Sequence, residues 1–368
     1  MMCHVHGDRE EPRTLRHERI CPRQWPPSVV EDLLDVHDVE MDSPEEILDG
    51  TDWSVLEHAY GSADELSRIL RGLLSEDPGV AGEVLGVLDG AVLHQGTIYS
   101  STAPAALFVA GILTDARTGI KCGSSLPWDD RIRPLRAALL EWLGLVGESA
   151  SYRDDDPDDA DEAESACQAI RPELYRAIAP FIWDVNTSVR SEAVIAAGHL
   201  LRAPDLAEFR AALAERLLES AARTEPTDRA RLALILDDWR IAPRDLLSDP
   251  DPGVRAYAAT ATTLDDDPDA LAEIRAALRD PDAVNQWFDG RHPQREGWFL
   301  DTLVTVLLRR TTTFEDIEDE AMAIAMASDS YARQNSLTTL WLRAFPPDVP
   351  DSPAQQRFRD ALDRQEHR

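Results

Sequence analysis

Lysine is almost missing: Lys121 is the only one in 368 residues, and arginine carries the rest of the positive charge. Basic side chains are scarce altogether, 37 Lys and Arg against 69 Asp and Glu, for a net charge of -32. Nucleic acid and anionic bilayers both need a basic footprint, so neither is expected as a partner. No apolar run approaches the roughly 18 to 20 residues of a membrane span, and no charged-then-apolar leader opens the chain. The expected location is the cytoplasm. Cysteine is sparse as well. Cys3, Cys21, Cys122 and Cys167 form no CxxC pair, so neither a disulfide framework nor a standard zinc module is expected. Runs of alternating Val, Ile and Tyr are missing too, which argues against a sheet.

The one pattern with metal-like spacing is Cys3, His6, His17 and Cys21, a C-x2-H-x10-H-x3-C arrangement. Between its inner pair only Leu15 is a sizeable apolar residue, too little to build a zinc-stabilised core. Residues 1–40 therefore read as a disordered tail, or as sequence upstream of a second start at Met41. No metal and no cofactor are expected.

What is present is a soluble composition, 43% hydrophobic and 29% charged, arranged in amphipathic segments with internal repeats. "DVNTSVRSEAVIAAGHL" (184–200) aligns with "DPDPGVRAYAATATTL" (249–264). Asp184 falls on Asp249, Val189 on Val254 and Arg190 on Arg255. "DPGVAGEVLGVL" (77–88) shares the frame with Ala81 in the arginine place, and "DSYARQNSLTTLWL" (329–342) keeps the arginine as Arg333. Asp before Pro ends one helix and caps the next, and Pro suits a first helical turn. Val189, Ala193, Ala196, Ala197 and Leu200 then recur at helical spacing. Two-helix repeats run about 40 to 47 residues, so the chain predicts about seven antiparallel helix pairs. The fold class expected is all-α, a right-handed α-α superhelix spanning 41–345. A linker and a short amphipathic helix follow at 346–368.

Two insertions interrupt the pattern. Residues 150–165 are an acidic loop with eight acids between Asp154 and Glu164, expected to be a solvated linker. Residues 284–298 are aromatic, and Trp287 and Trp298 there either pack over the stack or anchor a partner.

The D-P-x-x-V-R helix start resembles the HEAT-repeat (armadillo-like) family, in which the arginine and aspartate form ladders along the stack. That resemblance implies ladder roles for Asp184, Arg190, Asp249, Arg255 and Arg333. A longer likeness, "DWSVLEHAYG" with "LHQGTIY", is to HEAT-repeat proteins common in actinobacteria. It implies a fold far more than a function, and no catalytic residue set comes with it.

The "HQGTIY" turn is the least scaffold-like stretch. Gly96 suits a helix exit, and Thr102 with Pro104 suits a helix start. His94, Gln95, Thr97 and Tyr99 are left over, and Trp53, His58 and Tyr60 stand upstream as neighbours across the repeat. They are candidate binding residues, or an N-terminal cap. No nucleophile motif or phosphate loop accompanies them. The function expected is a non-catalytic, monomeric protein-binding scaffold, regulatory or immunity-like, with a basic protein as partner. The alternative is a lyase-type or small-ligand-binding repeat protein with a pocket near this turn.

Overall fold

The computed structural model describes residues 42–123, 129–153, 160–293, 297–345 and 350–366. All belong to the second of two units, residues 39–368. The Cys3–Cys21 pattern, the start at Met41 and the acidic run 154–159 lie outside the described residues.

The fold is all-α. Seventeen α-helices occur among the described residues: α1 (Pro44–Gly50), α2 (Leu66–Leu70), α3 (Pro78–Val87), α4 (Thr102–Ile112), α5 (Leu135–Ala150), α6 (Glu162–Ala169), α7 (Arg171–Ile178), α8 (Thr187–Leu200), α9 (Glu208–Ala221), α10 (Pro226–Asp238), α11 (Pro252–Ala259), α12 (Pro268–Leu278), α13 (Pro281–Gln286), α14 (Phe299–Arg310), α15 (Glu318–Met326), α16 (Tyr331–Ala344) and α17 (Pro353–Glu366). Two small antiparallel ladders interrupt them: β1 (Glu57–His58) with β2 (Gly61–Ser62), and β3 (Lys121–Cys122) with β4 (Arg133–Pro134).

The helix starts at 184 and 249 are the same unit. Asn186 and Asp251 cap α8 and α11, each accepting two backbone N–H groups one turn in. Asp184 and Asp249 accept the N–H of the capping residue itself, at 2.7 and 2.9 Å. Arg190 and Arg255 reach back to the carbonyls of Asp184 and Asp249, at 2.7 and 2.9 Å. Each cap contributes about 1 kcal/mol. The copy at 77 keeps the cap, with Asp77 on Gly79 N and Ser75 in the first aspartate's place. At 329 the frame slips by one: Ser330 is the cap, and Arg333 turns to the carbonyls of Ile324 and Ala325.

Packing follows the chain closely. α4 lies on α7, α5 on α8, α8 on α10, α10 on α11, α11 on α12, α12 on α14 and α15, α14 on α16, and α15 on α17. The α5–α8 pair is the tightest. A Cβ on Gly144 would stand 3.0 Å from Ala196 Cα, and one on Gly147 2.9 Å from Leu200 Cδ2. Gly144 needs glycine because the α8 backbone passes over it, and at Gly147 the Leu200 side chain takes the space. Residues 353–366 are no appendage, because Phe358 of α17 is fully buried against Phe314 and Phe345. The C-terminal half of the acidic segment is a helix start, where Asp161 and Glu164 form a capping box for α6.

Candidate functional site

The "HQGTIY" turn is built to close the end of α3. Its helix widens into a π turn over Leu88–Val92, with Leu93 N donating to Leu88 O. A helix end leaves carbonyls without partners, and here the last three before Leu93 find them. His94 Nδ1 donates to Gly90 O at 3.0 Å. Ala59 N donates to Ala91 O at 3.0 Å, and the Thr102 hydroxyl donates to Val92 O at 2.7 Å. The same hydroxyl accepts Tyr99 N at 2.9 Å. Thr102 is therefore not the expected N-cap. It is the first residue of α4, and its side chain is spent tying the helix to the preceding turn. Gly96 has the expected positive φ of 76°, but Gln95 shares it at 53°.

β1 and β2 bring the upstream candidates alongside. Glu57 N donates to Ser100 Oγ at 2.8 Å, and His58 Nδ1 accepts Tyr60 N at 3.1 Å. The Tyr60 ring stands between the imidazoles, with centroids 5.7 Å from His94 and 6.3 Å from His58. Tyr60 is 73% exposed, and Gln95 and Thr97 are exposed as well. Trp53 is elsewhere in role: it is buried and gives its indole N–H to Leu48 O. So the turn gathers His58, Tyr60 and His94 into one surface patch, while Trp53 fills the core. Tyr99 is half-buried.

The aromatic insertion splits in the same way. Trp287 packs on the core, 6.4 Å from the Phe299 ring. Trp298 is half-exposed at the rim of a cleft shared with His292, Phe299 and Tyr331. His292 lies against Tyr257 and Phe299, and burial lowers its pKa.

Among the described residues, the arginines to which the resemblance gives ladder roles bond mostly to carbonyls close by in the chain. Arg190 and Arg255 hold carbonyls of their own helix start, and Arg255 adds Glu273 of α12 at 3.0 Å. The inter-helix aspartate contact belongs to Arg229, which grips the Asp249 carboxylate with two bonds of 2.7 and 3.0 Å.

A second site, not anticipated from the sequence, lies between α3, α5 and α8. β3–β4 pairing places Arg133 opposite Cys122, and from there its nearly buried guanidinium meets Glu141 of α5, Asp129 at 3.4 Å and Glu192 of α8 at 3.6 Å. Arg131 adds Asp129 at 2.7 Å and Glu141 at 3.2 Å. The carboxyls respond differently. Burial penalises Glu141, but the Arg133 and Arg131 charges outweigh it and hold its carboxyl below the ordinary value. Asp89 of the π turn is pushed up to about 6 by burial and then by the Glu141 charge. Glu192 is pushed up to about 7 by the same two causes in the same order. Perturbed carboxyls gathered in one place mark a candidate functional site. Among the described residues no group of His, Cys, Asp and Glu is arranged to hold a metal ion.

The sequence did carry a trace of this site. Glu192 stands in the stripe Val189–Glu192–Ala193–Ala196, and Asp89 in Leu85–Leu88–Asp89–Val92. Each is an acid at an apolar position of helical spacing. No family model matches the chain, and no curated protein or solved structure matches it.

Proposed function

We propose that the chain is a non-catalytic α-solenoid of HEAT-like repeats that binds a protein partner rich in basic side chains. The observation that carries the reading is the repeated helix start, the same cap, aspartate and arginine bonds at 184–190 and again at 249–255. A unit repeated in this way cannot hide its apolar face alone, and stacked neighbours bury it. Helices that pack on near neighbours in sequence fit that architecture. Stacked repeats offer an extended surface rather than one enclosed pocket, which suits a protein partner. The charge of -32 favours a basic one and speeds its encounter.

The test is retention from a lysate of the source cells on the immobilised full chain, at low and at moderate salt. A stoichiometric basic protein, held at low salt and released at moderate salt, is the expected result. Stoichiometric retention of an acidic protein, or of nothing at either salt, contradicts it.

A further inference from the structure

α14 and α16 pack on each other, and their first residues line one cleft of about 600 Å³ together with the end of α13 and the turn after it. Four rings line it: His292, Trp298, Phe299 and Tyr331. Phe299 is fixed by Tyr257, whose ring stacks on it at 3.8 Å. Trp298 is 46% exposed and Tyr331 74%, so both keep ring surface in solvent. Among the described residues, Asp329 is the only Asp, Glu, Lys or Arg of the lining. Its carboxylate accepts Gln334 Nε2 at 3.1 Å and has Arg333 at 3.6 Å. That guanidinium is committed to the carbonyls of Ile324 and Ala325, and the Asp329 side chain stays 77% exposed. His292 adds no positive charge at neutral pH, because burial holds its pKa below the ordinary value. The positive ends of α14 and α16 are met by acids, Asp301 in the first turn of α14 and Asp329 just ahead of α16.

We infer that this cleft binds an organic cation whose nitrogen is shielded by alkyl groups, a quaternary ammonium. The site is separate from the protein-binding surface proposed above and does not depend on it. A cation is attracted to the faces of Trp and Tyr rings, and a carboxylate close by adds to the attraction. A concave site with aromatic walls and few polar groups is the usual form of a small-ligand pocket. The kind of cation follows from the acceptors. A guanidinium or a primary ammonium brings several N–H donors that need partners, and the one charged acceptor of the described lining already holds Gln334. A quaternary ammonium brings no donor, and its alkyl groups bury against ring carbon. An anion would meet the Asp329 carboxylate in a chain of net charge -32.

The experiment titrates the full chain with choline, read by calorimetry and by tryptophan fluorescence. Two controls run beside it: 3,3-dimethylbutanol, the uncharged isostere, and ethanolamine, which lacks the methyl groups. Expected are saturable choline binding with a dissociation constant below about 1 mM and at least about tenfold weaker binding of either control. Trp298→Leu and Tyr331→Ala should each weaken choline binding about tenfold, and Asp329→Asn about threefold. Trp298→Leu should also abolish the fluorescence change, while far-UV circular dichroism and the melting temperature of all three variants match the parent. A peptide carrying trimethyllysine, compared with its lysine form, is the second arm. Tighter binding of that peptide than of choline supports the cleft and places the ammonium on a modified protein, and tighter binding of choline supports it and places the ammonium on a free small molecule. No saturable binding of choline or of the trimethyllysine peptide up to about 10 mM overturns the inference. Equal binding of the uncharged isostere overturns it too, as does undiminished binding in both Trp298→Leu and Tyr331→Ala.

Discussion

The turn after α3 and the charged cluster beside it use the same helix end in different ways. In the turn the last carbonyls of the helix end have partners: those of Gly90, Ala91 and Val92 are closed by His94, Ala59 and Thr102. Tyr60, Gln95 and Thr97 reach the surface. In the cluster, Asp89 of that same π turn is half-buried, and Glu192 of α8 is buried with the Arg133 guanidinium 3.6 Å away. A conspicuous cluster of polar residues thus closes a helix end, while inconspicuous acids beside it carry the perturbed protonation.

Four substitutions sharpen this contrast, the largest effect first. Arg133→Met removes the one side chain shared by Asp129, Glu141 and Glu192. Stranding buried carboxylates should cost about 3–5 kcal/mol at pH 7.5. Urea unfolding should show part of that loss recovered at pH 5.5, where the acids can protonate.

Thr102→Val keeps the shape but removes both bonds of a fully buried hydroxyl. Leaving Val92 O and Tyr99 N unpaired should cost about 2 kcal/mol, seen as a lower urea midpoint with an unchanged slope.

Glu192→Gln works in the other direction. Folded Glu192 keeps its proton to about 7, against 4.5 for an unperturbed glutamate. Its contribution is therefore complete below that lower value and lost as pH rises through about 7. Glutamine, neutral throughout, escapes the loss. The variant should exceed the parent by roughly 1–2 kcal/mol at pH 8 and match it near pH 4, by unfolding at a series of pH values.

Tyr60→Ala should change stability by less than about 0.5 kcal/mol, because the ring is largely in solvent. A large destabilisation by this variant would break the claim that the turn is closed by His94, Ala59 and Thr102 without the Tyr60 ring.

How legible all this was depends on the range of the interaction. Helix starts were readable because Asp, Pro and the later Val and Arg act within seven residues, and the structure repeats their bonds at 184 and 249. Asp251, an aspartate before proline, is the cap expected there, while at the other start the cap is Asn186. Asp184 and Asp249 hold the capping residues. At Thr102 the sequence suggested a cap because threonine usually is one. The π turn, which sequence periodicity does not announce, left Val92 O in need of a donor and claimed the hydroxyl. The charged cluster was illegible as a unit. Asp89 and Glu192 are far in the chain from Arg133 and Glu141. Only the β3–β4 ladder and the close glycine-lined approach of α5 to α8 gather them. The acid in each apolar stripe was the readable part.

The most direct test of the contrast is urea unfolding at pH 8, compared between Glu192→Gln and Thr102→Val in the full chain. A cluster whose acid is held against its charge beside a turn that uses its hydroxyl predicts a gain in the first and a loss of about 2 kcal/mol in the second. A loss in Glu192→Gln, or no change in Thr102→Val, would contradict it.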